Sequence, residues 1–110
     1  LDKLRATNKC ARCDLRGADL GNANLRQAEL HEADLSEANL PGVDLSQAIL
    51  YKASLYKANL YRANLKKADL KRANLFNALL RGAALDSADL MDAKFCNTIL
   101  PSGNPTFKDC

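Results

Sequence analysis

The stretch YKASLYKANLYRANL, residues 51–65, contains one five-residue pattern three times in succession. The same period runs far beyond it, because leucine recurs at every fifth position from Leu15 to Leu100, with Phe95 in place of one leucine. Two residues before each of these positions the chain has alanine, apart from Cys13, Val43 and Thr98. One residue before them it usually has Asn or Asp. The fold must therefore give each of these positions a constant environment.

A period of five fits neither regular secondary structure. On a helix, successive leucines would move apart by roughly 140°, and on a strand they would alternate between opposite faces. The leucines share one environment only if the chain turns a corner once in every five residues, which predicts a solenoid with short straight sides. Leucine then points into the core, alanine fills a cramped position, and Asn or Asp hydrogen-bonds the turn backbone. The other two residues, Tyr51 and Lys52 for example, face water.

The repeated five-residue units, called words below, resemble those of the pentapeptide-repeat family. The family pattern A(D/N)LXX is present here as ADLGN, ANLRQ, ADLSE, ANLYR, ADLKR and ANLFN. The resemblance covers residues 14–100 and implies an all-β fold, a right-handed quadrilateral β-helix with four words in each coil and about four coils. It would stack Leu15, Leu35, Leu55, Leu75 and Phe95 in one column of the core. A second column would be Leu20, Leu40, Leu60, Leu80 and Leu100.

The two ends of the chain depart from the repeat and are predicted to be caps, since the open ends of stacked coils can polymerise. Residues 1–13 form the N-terminal cap, in which Leu1 and Leu4 at helical spacing suggest a short helix or an irregular plug. Residues 14–100 form the β-solenoid. Residues 101–110 form a C-terminal capping tail rich in Pro and Gly, which is expected to fold back across the last coil with Phe107 covering exposed leucine.

The four cysteines lie in pairs, one pair at each end of the chain. Cys96 and Cys110 flank the turn-rich tail, and a disulfide between them would hold that cap in place. Cys10 and Cys13 form a lone CxxC, which leaves three interpretations open: a second disulfide, two buried small hydrophobic residues, or a redox site. A thioredoxin-type dithiol would need a βαβ context that this sequence lacks. A four-cysteine zinc site is excluded by the distance between the pairs.

The sequence contains no recognisable catalytic or cofactor-binding set, so the prediction is a non-enzymatic protein without cofactor or metal. His31 is the only histidine and occupies an outward position beside Glu32 and Glu29, where a surface residue is expected. The five glycines are scattered and do not form a phosphate-binding loop. Most Asp residues occupy the turn position of the repeat. Function must therefore be sought on the surface.

Charge is banded along the predicted axis. Residues 31–50 carry four carboxylates and no Lys or Arg, whereas residues 51–70 carry five cations against Asp69 alone. The basic band also contains three outward tyrosines, and Phe76 would lie one coil beyond Tyr56. We call this band the girdle; it consists of Tyr51, Lys52, Tyr56, Lys57, Tyr61, Arg62, Lys66 and Lys67. Because these residues fall on successive sides, they should encircle the shaft instead of forming one patch.

Three interpretations of the girdle remain open at this stage. It is a solvated face whose tyrosines cover neighbouring leucines, a docking surface for an unidentified protein, or a contact for nucleic acid or an anionic membrane. The last ranks lowest and no nucleic acid is expected as a partner, because the net charge is only +3 and an acidic band lies alongside. Some members of the family are implicated as DNA mimics, but that role requires a strongly negative shaft, which the basic girdle contradicts.

The resemblance also suggests a compartment. The CxxC directly before the first word and the tail ending in Cys look similar to pentapeptide-repeat proteins of cyanobacteria and of the chloroplast thylakoid lumen. The favoured location is thus the thylakoid lumen or its cyanobacterial or periplasmic counterpart, with the cytoplasm as the alternative. No apolar run reaches the roughly 20 residues of a membrane span, and a chain beginning at Leu1 looks like a mature or trimmed form.

The favoured function is a scaffold for protein interaction. The alternative is a redox-responsive lumenal protein whose disulfide is a target of thiol-disulfide exchange, with a thioredoxin-like oxidoreductase as its partner.

Overall fold

The computed structural model describes residues 1–110 as one elongated body, with principal extents of 36 × 24 × 21 Å. Parallel backbone bridges join residues twenty positions apart throughout the repeat, as in Asp14↔Asp34 and Leu79↔Ile99. One coil is therefore twenty residues long and contains four five-residue words. Each side pairs through a single isolated bridge, because only three residues separate successive corners. The regular elements are consequently few: α1 (Asp2–Thr7), β1 (Thr98–Ile99) and β2 (Pro105–Thr106).

Each corner depends on a residue in the left-handed backbone region. Every fifth residue from Arg12 to Asn97 has φ between 52° and 72°, and most of them are not glycine. That conformation is unfavourable for ordinary residues. Hydrogen bonds across the corner offset its cost, since the Ala58 N–H donates to the Leu55 carbonyl at 2.9 Å and the Asn59 Oδ1 accepts from the Tyr61 N–H at 3.0 Å. The second contact explains the frequent Asn or Asp in the repeat.

The core consists of leucine columns lined by alanine. Every fifth residue from Leu30 to Leu80 is fully buried, and the alanine position two residues earlier is at most 1% exposed between Ala28 and Ala78. Burying one leucine side chain stabilises the fold by about 1.5–3 kcal/mol. Thr98 is the one polar residue in the buried set, and its hydroxyl donates to the Leu75 carbonyl at 2.6 Å. The core is thus uniform along the axis, and the one polar side chain buried in it is hydrogen-bonded.

The first coil is closed by α1. Leu4 on this helix is only 1% exposed and belongs to the core cluster. Asn8 ends the helix in the left-handed region, its carbonyl accepts from the Glu29 N–H at 3.0 Å, and its side-chain amide donates to the Arg26 carbonyl at 2.8 Å. The leucines of the first coil, Leu15, Leu20 and Leu25, are accordingly only 3–4% exposed.

The C-terminal tail turns back as predicted, but the prediction for Phe107 is wrong. β1 and β2 pair antiparallel, with Thr98 opposite Thr106. Asp109 then donates its N–H to the Phe95 carbonyl at 2.7 Å and accepts the Phe95 N–H on its carboxylate at 2.9 Å. These contacts and the bond from Cys96 to Cys110 fix the end of the tail and leave Phe107 60% exposed. Leu85 and Leu90 remain partly exposed.

No helix in the structure has the length and apolar character of a membrane span.

Candidate functional site

The girdle residues occupy the two corner positions that follow each leucine. Tyr51, Tyr56 and Tyr61 take the first position, and Lys52, Lys57 and Arg62 take the second, left-handed one. Lys66 and Lys67 occupy both positions of the fourth corner. The corner positions lie outside the leucine and alanine columns, so side chains there are free to vary. The girdle therefore passes through all four corners and does not converge on one face.

Each girdle tyrosine carries a cation over its ring. Lys52 Nζ lies 5.3 Å from the centre of the Tyr51 ring and Lys57 Nζ lies 5.4 Å from that of Tyr56. Arg62 Cζ lies 5.5 Å from the centre of the Tyr61 ring. Such cation–π contacts hold neighbouring side chains together at exposed sites, with energies of about 0.5–1 kcal/mol. Tyr61 is 40% exposed, and Tyr51 and Tyr56 are half-buried, so each ring still offers apolar surface.

The five girdle cations make no salt bridge, although cations elsewhere on the shaft do. Arg12 pairs with Glu32 at 3.0 Å, and Lys71 pairs with Asp69 at 3.0 Å. Glu32 and Glu37 lie one coil before Lys52 and Lys57 at the same corners, but Glu32 pairs with Arg12, and the two lysines lie over tyrosine rings instead. An unpaired cation next to an aromatic ring keeps its hydrogen-bond donors available to a partner.

Stacking of coils brings in cations that the girdle prediction left out. Lys52, Arg72, Asp92 and Lys94 line one shallow depression, and Tyr51 lines a neighbouring one with Lys71 and Met91. The girdle as defined from the sequence includes neither Arg72 nor Lys94. The signal that could have found Lys94 is the twenty-residue coil, because it brings residues 52, 72 and 92 into one column with residue 94 beside it.

Shifted pKa values occur outside the girdle. The Arg16 side chain donates two hydrogen bonds to the Asp14 carboxylate and lowers the pKa of Asp14 to about 2. The pKa of Lys71 is raised by its hydrogen bond to Asp69, and the pKa of Asp44 is lowered by hydrogen bonds from Ser46. Each shift has a local partner within the shaft, so these groups act in structural contacts at the corners.

Both cysteine pairs are bonded. Cys10 is joined to Cys13 and Cys96 to Cys110, with Cα atoms 5.3 Å and 4.8 Å apart. Cys10 is buried and Cys13 is half-buried, whereas Cys96 is half-buried and Cys110 is exposed. The two bonds therefore differ in their accessibility to an attacking thiolate.

His31 is half-buried at a first corner position. No group of three His, Cys, Asp or Glu side chains is arranged to hold a metal ion.

The sequence profile of the pentapeptide repeats matches the chain in 8 copies, over residues 9–47, 28–66, 42–77 and 63–100. The chain belongs to the pentapeptide-repeat family. A comparison with curated protein sequences gives no significant match.

Solved structures of cyanobacterial and plant proteins share the fold. The pentapeptide repeat protein Rfr23 from the cyanobacterium Cyanothece 51142 is 27% identical with a TM-score of 0.75, over 84% of this chain and 90% of that one. HetL from Nostoc sp. strain PCC 7120, involved in heterocyst differentiation regulation, is 35% identical with a TM-score of 0.59; the match covers 89% of this chain but only 51% of HetL. A pentapeptide repeat protein from the Arabidopsis thaliana thylakoid lumen is 26% identical with a TM-score of 0.58, over 83% of this chain and 68% of that one.

Proposed function

We propose that this protein is a non-enzymatic β-solenoid scaffold that docks a protein partner on its girdle. The observation that carries the proposal is the set of five girdle cations without a carboxylate partner, three of them held over tyrosine rings. Tyr and Arg are enriched among residues that dominate protein interfaces, and unpaired cations favour a surface of opposite charge. The partner best suited to this surface is an acidic protein patch that spans at least one corner.

We also propose an oxidising lumen as the location and a right-handed solenoid of about four coils as the architecture. Two bonded cysteine pairs support an oxidising environment, because such bonds persist mainly there. The similarity to a thylakoid-lumen protein points in the same direction. The favoured compartment is therefore the thylakoid lumen or its cyanobacterial counterpart, with the cytoplasm as the alternative.

The test is capture of a partner from a thylakoid-lumen extract by the immobilised oxidised protein. A specific partner should be retained by the natural chain and lost from a variant with Tyr56→Ala and Lys57→Ala. The matched control is Ser36→Ala with Glu37→Ala, which changes the same two corner positions one coil earlier and should retain the partner. Equal retention by both variants would contradict docking on the girdle.

A second candidate function is a redox response through the C-terminal disulfide. The supporting observation is that Cys110 is exposed and that its bond to Cys96 ties down the tail. Attack by the thiolate of a thioredoxin-like oxidoreductase would form a mixed disulfide with one of the two cysteines and release the other as a thiol. The enzyme's second thiolate would then resolve the mixed disulfide, leaving the tail held by non-covalent contacts alone.

This second function predicts selective reduction. Incubation with a reduced thioredoxin followed by alkylation and mass spectrometry should label Cys96 and Cys110 well before Cys10 and Cys13. Simultaneous labelling of all four would indicate general unfolding and would count against a redox response at the tail.

A DNA-mimic or nucleic-acid-binding role has the least support. The net charge of +3 and the acidic band of residues 31–50 fit neither a uniformly negative shaft nor a strongly basic one.

A further inference from the structure

The C-terminal end of the solenoid has an unpaired edge on two of its four sides. In the preceding coil the Leu65 and Leu70 N–H groups donate to the carbonyls of Ala84 and Asp89, both at 2.8 Å. One coil later, the N–H groups of Leu85, Ser87, Leu90 and Asp92 have no acceptor in the protein. The carbonyls of Ala83 and Ala88 likewise have no donor, although those of Ala63 and Ala68 each receive a hydrogen bond at 2.9 Å. A strand added here would meet donors and acceptors already positioned for a further coil.

The tail does not cover this edge. Its hydrogen bonds reach the other two sides, where Asp109 pairs with Phe95 and the Asn104 carbonyl accepts from the Leu100 N–H at 2.8 Å. Leu85 and Leu90 stay partly exposed, while Leu65 and Leu70 are fully buried. The uncovered half therefore combines exposed apolar side chains with an open ladder, which are the two features that an added strand satisfies.

The charge along this edge favours a basic binding segment. Residues 83–92 carry Asp86, Asp89 and Asp92 and no Lys or Arg. Lys71 of the preceding coil lies 3.5 Å from the Asp89 carboxylate, so Asp86 and Asp92 are the two carboxylates here without a salt bridge. The shaft shows how such charges pair, because Arg12 and Glu32, at the same corner position one coil apart, approach to 3.0 Å. Asp92 occupies that position in the last coil, so a cation stacked beyond it would lie at comparable distance. A second copy meeting this edge tail to tail would instead bring like charges together, which is destabilising.

We propose that residues 83–92 form a docking edge for a basic, extended segment of a partner protein that has leucine at five-residue spacing. Two words of that segment pair with the open ladder and bend at the same corners. Their leucines continue the columns over Leu85 and Leu90, and their corner lysines stack over Asp86 and Asp92. This surface meets the girdle only at the depression that Asp92 shares with Lys52, and its use does not depend on the girdle.

The experiment uses a labelled synthetic peptide, ANLKKANLKK, and its acidic counterpart ANLEEANLEE, with the oxidised full chain. Fluorescence anisotropy should show binding of the lysine peptide at least tenfold tighter than that of the glutamate peptide. The variant with Asp86→Lys and Asp92→Lys should reverse this order. Lysine is compatible with both positions, because Lys66 and Arg72 occupy them one coil earlier. Glu37→Lys, which makes an acidic-to-basic change at the second position of a different corner and outside residues 83–92, is the matched control and should leave the preference unchanged.

Hydrogen exchange locates the peptide on the chain. The amides of Leu85 and Leu90 should exchange several-fold more slowly with the lysine peptide bound, whereas those of Asp14 and Asp19 at the other end should not change. Protection at Asp14 and Asp19 instead, or an equal effect of Glu37→Lys and the double variant, would overturn the proposal. A dimer seen by sedimentation without peptide, and abolished by blocking residues 83–92, would also overturn it in favour of a second copy.

Discussion

The two ends of the solenoid are covered to different extents. At the N-terminal end, α1 places Leu4 against the first coil, and Leu15, Leu20 and Leu25 are at most 4% exposed. At the C-terminal end, a disulfide-bonded tail covers two sides and leaves Leu85 and Leu90 partly exposed. A helix can bury a leucine over the end of the stack, whereas the tail contributes mainly backbone contacts and one carboxylate. Closure of a repeat stack thus requires an apolar side chain as well as backbone pairing.

The largest expected difference between the ends is in the stability lost when a leucine is replaced by alanine. Leu4→Ala should lower the free energy of unfolding by about 2–4 kcal/mol, because it removes a fully buried side chain. Leu90→Ala removes a partly exposed one and should cost about 1 kcal/mol. Urea unfolding followed by circular dichroism measures both. Equal losses would show that the two ends are equally closed.

The disulfides should also differ in their contribution to stability. Cys96 and Cys110 are 14 residues apart, and replacing both by serine should lower the free energy of unfolding by about 3 kcal/mol. Cys10 and Cys13 are only 3 residues apart, and replacing both should lower it by about 2 kcal/mol. Thermal unfolding of the two double-serine variants gives the comparison. A larger loss for the N-terminal pair would mean that burial of Cys10 matters more than loop closure.

A smaller and local effect is expected at the carboxylate that closes the tail. Asp109→Ala removes the acceptor of the Phe95 N–H, so the Phe95 amide should exchange roughly fivefold faster, as expected for loss of one hydrogen bond. The amide of Leu55 in the middle of the shaft is the internal control and should be unchanged. If the Phe95 amide keeps its protection, the rest of the tail closes this side without Asp109.

The smallest effect concerns pH. The Phe95 N–H lowers the pKa of Asp109 below its ordinary value of 3.8. A carboxylate with a lowered pKa contributes stability that is fully present above 3.8 and is lost as the pH falls through the folded-state pKa. The Phe95 amide resonance should therefore titrate below pH 3.8, and Asp109→Asn should abolish that titration. A midpoint above 3.8 would contradict the hydrogen bond.

The repeat made most of the fold predictable from sequence, because one constraint recurs at each corner. Leu55, Ala58 and Asn59 have the same roles as their counterparts in other words, so the period alone specifies what is buried and what turns the chain. Phe107 could not be placed in this way, since the tail has no period and its path depends on Asp109 and Cys110 pairing with the last coil. Lys94 was missed because its neighbours Lys52 and Arg72 are adjacent only after coiling.

The same reasoning explains why the surface remains harder to interpret than the core. Tyr56 and Lys57 could be assigned to an outward corner, and their cation–π contact follows from adjacency. The positions themselves accept Ser36 and Glu37 one coil earlier, so the backbone does not dictate what they carry. Sequence periodicity therefore contains no information about the chemistry at these corners.

The twenty-residue coil has a consequence for how surface features are spaced. Moving a residue by twenty positions in the sequence shifts it by about 4.8 Å along the axis and returns it to the same corner. Position along the axis of the shaft therefore follows directly from sequence number. Moving a tyrosine–lysine pair by twenty positions in the sequence would reproduce the same surface at the same corner, about 4.8 Å further along the axis.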